Sequence, residues 1–307
     1  MIETKDLSRS FGKNKVVDNL NFTIKSGEVF GFLGPNGAGK TTTVRMLACL
    51  IRPTEGTAFI DGLNITNEKD AMEIRKRIGI LTETPGLYET LSAYKNLDFY
   101  GKLYEVNDRT RKERIEHYLK MMGLWEKKDQ PVGSYSKGMK QKMAITRCLL
   151  HDPKVLFLDE PTSGLDPEAS KLVRDFIIDL KKEGHTIFLT THNLDEADRL
   201  CDRIGIFKGT LLAIDAPARF KDTLYGKTVT VQLRAATPDI VEAVRSLGFV
   251  NSVDVKGNIL SLNVRSPEQD NPGLVRALVG AGADVQSVSE TSKSLEDVYF
   301  KILGVKK

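Results

Sequence analysis

Three cysteines in 307 residues, Cys49, Cys148 and Cys201, are too few and too far apart for a disulfide framework or a paired-cysteine zinc site. A reducing compartment is expected. Long apolar runs are also missing. Stretches such as "VLFL" at 155–158 fall far short of the roughly 18 residues that suggest a membrane-spanning helix, and the opening "MIETKDLSRS" has no apolar signal core. Any membrane role is therefore expected to pass through a partner. Nor is there an excess of one charge: 45 Lys and Arg stand against 41 Asp and Glu, a net +4 that creates no field demanding a polyanion, so no nucleic-acid partner is expected. What is present is a 40% hydrophobic share, ordinary for a soluble globular chain and enough for about two domains.

The first half alternates strand and helix signals. "VVDNLNFTI" (16–24) alternates apolar and polar residues like a half-buried strand, and "EVFGFL" (28–33) is apolar enough for a buried one. From Tyr88 to Leu150 strand signals vanish, and "RKERIEHYLKMMG" spaces its apolar residues helically. Alternation resumes with "KVLFLDE", "DPEASKLVRDFIIDLKKEG" and "HTIFLTTH". The expectation is an α/β parallel-sheet domain over 1–218 with a helical insert at about 88–150. A linker at 219–226 is expected next, then an accessory domain at 227–307 whose patterns run βαββαβ, as in ferredoxin-like modules, before a closing helix in "SLEDVYFKIL". That last domain has 10 Lys and Arg against 9 Asp and Glu, so it carries no basic surplus by count.

"GPNGAGKT", Gly34–Thr41, fits the phosphate-loop pattern G-x-x-x-x-G-K-[ST] between a predicted strand and a helix start. Its glycines let the backbone N–H groups of Asn36, Gly37, Ala38 and Gly39, which follow Gly34 and Pro35, turn inward around phosphate oxygens. Lys40 reaches the terminal phosphates, and the Thr41 hydroxyl, with Thr42 beside it, faces the bound Mg²⁺ and phosphates. "VLFLDE" then sets two carboxylates at a strand end, Asp159 to hold Mg²⁺ through water and Glu160 to polarise an attacking water.

With "SGLD" at 163–166, "TTHNLDEAD" from Thr190 and "SYSKGMKQK" ahead of the Asp159 strand, the chain resembles the ABC-type ATPases over about residues 1–218. The resemblance implies a P-loop NTPase fold and ATP hydrolysis with Mg²⁺. It assigns Phe11 to stack on adenine, His192 to sense the γ-phosphate, and Ser136, Gly138 and Asp166 to act in trans on the ATP of a second ATPase subunit, as homodimer or heterodimer. A separate transmembrane permease, reached from the cytoplasmic face of the membrane, is the implied partner. The C-terminal module resembles the extension found in drug-resistance and bacitracin-type exporters, which points to export. The other reading left open is a soluble ABC-type ATPase of translation or nucleic-acid metabolism.

Two positions depart from the family pattern. Glu83 stands where the family usually has a metal- and water-contacting Gln; a carboxylate still binds the cation but cannot donate to water. Tyr135-Ser136-Lys137-Gly138-Met139 replaces the usual L-S-G-G-Q. Lys137 is left open between a cation near phosphate and a solvated charge, while Lys140 and Lys142 are expected to be solvated.

Overall fold

A computed structural model describes all residues except Glu83, Pro85, Ser292, Lys293 and 305–307. The chain divides into two compact units, Met1–Asp215 and Ala216–Lys307.

The first unit opens with β1 (Ile2–Phe11), β2 (Asn14–Leu20), β3 (Thr23–Ile24) and β4 (Val29–Leu33), followed by α1 (Lys40–Leu47). After β5 (Glu55–Ile60), β6 (Leu63–Asn64) and α2 (Glu68–Arg77) comes β7 (Ile78–Leu81). The helical insert holds α3 (Ala93–Leu103), α4 (Asp108–Met121) and α5 (Lys137–Leu149). Then follow β8 (Val155–Asp159), α6 (Pro167–Lys182), β9 (Thr186–Thr191), α7 (Leu194–Leu200), β10 (Arg203–Lys208) and β11 (Thr210–Asp215).

Six strands form the central sheet in the order β11-β10-β4-β9-β8-β7, parallel from β10 to β7. Every residue of β4, β8 and β9 is buried, which is why these strands read as continuous apolar runs: both faces of a parallel sheet are covered. Phe30, Phe32, Phe157, Phe188 and Phe207 fill that core, with Phe32 and Phe207 stacked at 4.5 Å between centroids. Because the strands run the same way, the segments leaving β4, β8 and β9 emerge along one edge of the sheet, where ligands bind in open α/β folds.

The segment read as one strand, 16–24, is two. β2 and β3 both pair antiparallel with β1, β2 ends at Leu20, and Asn19 turns through the left-handed region at φ +51. These strands, with β5 and β6, make a second, antiparallel sheet that brings Val16 against the phosphate loop.

α5 packs closely on β7 at Gly79, where an added Cβ would lie 2.5 Å from the Cys148 carbonyl oxygen. Gly79→Ala is expected to cost about 1–3 kcal/mol through overpacking against backbone, measured as a lower midpoint in urea unfolding.

The second unit begins with α8 (Pro217–Tyr225), then β12 (Lys227–Leu233), α9 (Pro238–Arg245), β13 (Val250–Lys256), β14 (Ile259–Val264), α10 (Pro267–Gly280), β15 (Val285–Thr291) and α11 (Leu295–Leu303). Its antiparallel sheet runs β13-β14-β12-β15, the split βαβ order of ferredoxin-like modules, over a core that includes Val229, Val231, Leu260, Leu262, Leu274 and Leu278. The expected linker at 219–226 is corrected: most of it lies in α8, which starts on Pro217, buries Phe220, packs against α11 and stops at Gly226.

Candidate functional site

The phosphate loop leaves β4 at Leu33 and enters α1 at Lys40. Gly39 caps that helix with φ +105, in a place where a Cβ would lie 2.7 Å from the Val16 carbonyl oxygen, so only glycine serves. α1 has no side-chain cap and no acidic residue in its first turn. Its leading N–H groups are thereby left to an anion.

Lys40 is only 6% exposed and donates to the carbonyls of Gly34 at 2.8 Å and Pro35 at 3.2 Å. Its ammonium also lies 3.6 Å from Glu160 Oε1. The other Glu160 oxygen, Oε2, is 2.7 Å from His192 Nδ1. Asp159 is buried and accepts from the hydroxyl of Thr190 on the neighbouring strand. Glu196 on α7 is buried and accepts from Thr191 Oγ1 at 2.8 Å. Burial pushes its carboxyl up, against the hydrogen bond from Thr191.

One cleft of about 580 Å³ gathers most of the sequence-predicted residues: Asn36, Gly37, Gly39, Lys40, Thr41, Thr42, Asp159, Glu160 and His192 line it. Gly34 and Pro35 stand behind it as the carbonyls that hold Lys40, and Ala38 accepts through its carbonyl from Gly209 N–H. Phe11 lies at the end of β1, 49% exposed, with the Arg9 guanidinium 4.6 Å from its ring centroid. It is not among the residues lining the cleft, whereas Val16 is. Glu83 lies outside the described residues.

Ser136, Gly138 and Asp166 do not line their own chain's cleft among the described residues. Ser136 caps α5 by accepting from Met139 N–H at 3.3 Å, and Asp166 caps α6 by accepting from Ala169 N–H at 2.8 Å. Lys140 is corrected from a solvated charge to an ion pair with Glu89 at 2.6 Å. Sequence reasoning missed Val16, Gln141 and Ser163 as cleft residues. Lys137 and Gln141 are four apart on α5 and both reach the cleft, a helical spacing that could have exposed the pair. The Lys137 side chain lies across Gly164, where an added Cβ would overlap its ammonium.

The arrangement suits a nucleoside triphosphate: backbone donors and a cation for phosphate, hard oxygen donors, a carboxylate for water and a histidine beside it. A family model described as "ABC transporter" matches residues 17–163. The bacitracin transport ATP-binding protein BcrA of Bacillus licheniformis is 37% identical, over 99% of this chain and 97% of that protein. The daunorubicin/doxorubicin resistance ATP-binding protein DrrA of Streptomyces peucetius is 34% identical, over 99% and 92%. Among solved structures, an ATP-binding subunit of an ABC transporter superposes with TM-score 0.68 at 30% identity, covering 74% of this chain and 94% of that one. A dimeric cassette bound to ADP and Pi superposes with TM-score 0.65 at 26% identity, covering 70% and 98%. The full-length likeness to such relatives and the assembled phosphate site agree: the chain belongs to the ABC transporter family as an ATP-binding subunit that hydrolyses ATP.

Proposed function

We propose that this subunit drives an export permease from the cytoplasmic face of the membrane, working in a pair whose two clefts are each closed by the Ser136–Gly138 segment of the other subunit. The observation that carries the reading is the convergence of Lys40, Thr41, Asp159, Glu160 and His192 on one cleft. Lys40 and the α1 N-terminus bind the β- and γ-phosphates, and Glu160 takes a proton from the water that attacks the γ-phosphorus. His192 follows the γ-phosphate, and Phe11 stacks on the adenine. The donors fit Mg²⁺, since the buried Asp159 carboxylate and the Thr41 hydroxyl are hard oxygen ligands on the same cleft. When bound, the ion neutralises charge developing on the phosphate oxygens.

Closure in trans asks Ser136 and Gly138 to present a helix N-terminus, and α5 begins at Lys137 immediately after its Ser136 cap. Asp166 starts α6 beside them. Export is supported by relatives whose names assign them to bacitracin transport, daunorubicin/doxorubicin resistance and Nod factor export. No helix among the described residues is long and apolar enough to cross a membrane. An exposed aromatic group suits docking of the permease. Tyr88 and Phe99 meet edge to face at 5.1 Å, and Tyr100 donates to the Gly86 carbonyl at 2.5 Å.

Affinity purification of the chain from membranes tests this: a co-purifying permease that raises its ATPase rate is expected. Recovery with ribosomes or nucleic acid and no membrane subunit would overturn the transport reading. Lys137→Gly is expected to weaken ATP binding by about two- to fivefold at low ionic strength and by less in high salt, the scale of an exposed charge near phosphate. Nucleotide titration at both salt levels checks it, and unchanged affinity at both would leave Lys137 a solvated charge.

A further inference from the structure

β9 carries the sequence "TIFLTT", all six residues buried. Its fifth residue, Thr190, has no exposed surface and sits between Phe32 of β4 and Asp159 of β8 in the parallel register. Packing alone would favour valine there, which has the same shape and β-branching and carries no hydroxyl to desolvate. Burying an unpartnered hydroxyl costs about 1–3 kcal/mol on the protein mutational scale. The Thr190 hydroxyl avoids that cost by holding two groups of the catalytic turn. It donates to Asp159 Oδ1, and it accepts from the Glu160 N–H at 3.1 Å. The same N–H also reaches the Thr190 carbonyl at 3.0 Å, a three-centre bond.

That turn is strained where it matters. Glu160 has φ +49, the left-handed region that costs a non-glycine residue about 1–2 kcal/mol. Here the chain leaves the line of β8, and the Glu160 carboxylate meets Lys40 and His192 rather than continuing along the strand. Such a conformation persists only when its surroundings over-determine it. The doubly held N–H does so, and the bond to Oδ1 fixes the rotation of the Asp159 carboxylate. The next residue completes the frame: the Thr191 hydroxyl donates to Glu196 and accepts from the Asn193 N–H at 3.0 Å, fixing the backbone on either side of His192.

We propose that Thr190 is a positioning residue for ATP hydrolysis, whose hydroxyl sets the Asp159 carboxylate and the Glu160 backbone together. This rests on the reading of Glu160 as the base. Losing the hydroxyl leaves the phosphate loop intact but frees both carboxylates to drift.

The test is steady-state kinetics on purified full-length Thr190→Val and Thr190→Ser, with Glu160→Gln alongside and thermal melting of each. Misplacement by about 1 Å can cost on the order of 100-fold, so Thr190→Val is expected to lose about 30- to 100-fold in kcat with KM for ATP within about threefold. Thr190→Ser, which keeps the hydroxyl, is expected to recover kcat to within about threefold of the parent, a contrast that loss of packing alone would not produce. The inference is overturned by a Thr190→Val kcat within about twofold of the parent, by Thr190→Ser as slow as Thr190→Val, or by a KM that rises as far as kcat falls. An active Thr190→Val beside an inactive Glu160→Gln sinks the role of Thr190 alone. An active Glu160→Gln removes the base reading as well.

Discussion

Glu160→Gln is expected to lower ATP turnover by about 10²- to 10⁴-fold while ATP binding survives, the range a positioned general base contributes. The substitution keeps the side chain's shape but replaces a proton acceptor with a neutral amide. It also removes a negative charge 3.6 Å from the Lys40 ammonium, leaving that cation free for phosphate. Binding should therefore hold or tighten as hydrolysis stops, and an ATP-bound pair of subunits should accumulate because the step that releases it is blocked. Phosphate release measures the first effect, and gel filtration with ATP against ADP measures the second. Turnover within about tenfold of the parent would remove Glu160 from the base role. Parent-like monomer in ATP, with turnover gone, would instead remove the trans arrangement.

The parts of this site that were legible in the sequence are those whose chemistry fixes residue type and spacing together. A phosphate nest demands glycines at set intervals before a lysine, and a sheet covered on both faces demands uninterrupted apolar runs ending in the functional turns. Hence "GPNGAGKT", "VLFLDE" and "TTH" could be aligned to strand ends before any coordinates. β1 was not legible because its register slips between Leu7 and Arg9 and again between Arg9 and Ser10, which breaks the alternation that marks a half-buried strand. α8 hid as a linker because nine residues with one well-buried aromatic, Phe220, give little periodicity to read. Thr190 was illegible for another reason. Threonine is a good strand residue, and only the neighbouring strand's Asp159 and Glu160 turn its hydroxyl into a clamp. Ser136 and Asp166 carry a double meaning, since both cap their own helices whatever they do for a partner subunit.

Lys40→Ala is expected to act at the earlier step, lowering ATP affinity by about 100-fold or more, with turnover falling as a consequence. The ammonium is held by two backbone carbonyls and faces Glu160, so its position is set by the loop rather than by the nucleotide. A cation already oriented and largely desolvated meets phosphate without reorganising, and truncating one partner of such a buried charge pair costs about 2–5 kcal/mol, or roughly 30- to 4,000-fold. Lys40→Arg should not rescue it, because the cleft wall leaves this residue only 6% exposed and the carbonyl cradle fits a compact ammonium, not a planar fork. Equilibrium ATP binding separates this loss from the effect of Glu160→Gln, where affinity persists and only chemistry stops. If Lys40→Ala bound ATP as tightly as the parent but failed to hydrolyse it, the lysine would have to act on the transition state alone. The loop's backbone N–H groups at the start of α1 would then carry ground-state binding by themselves.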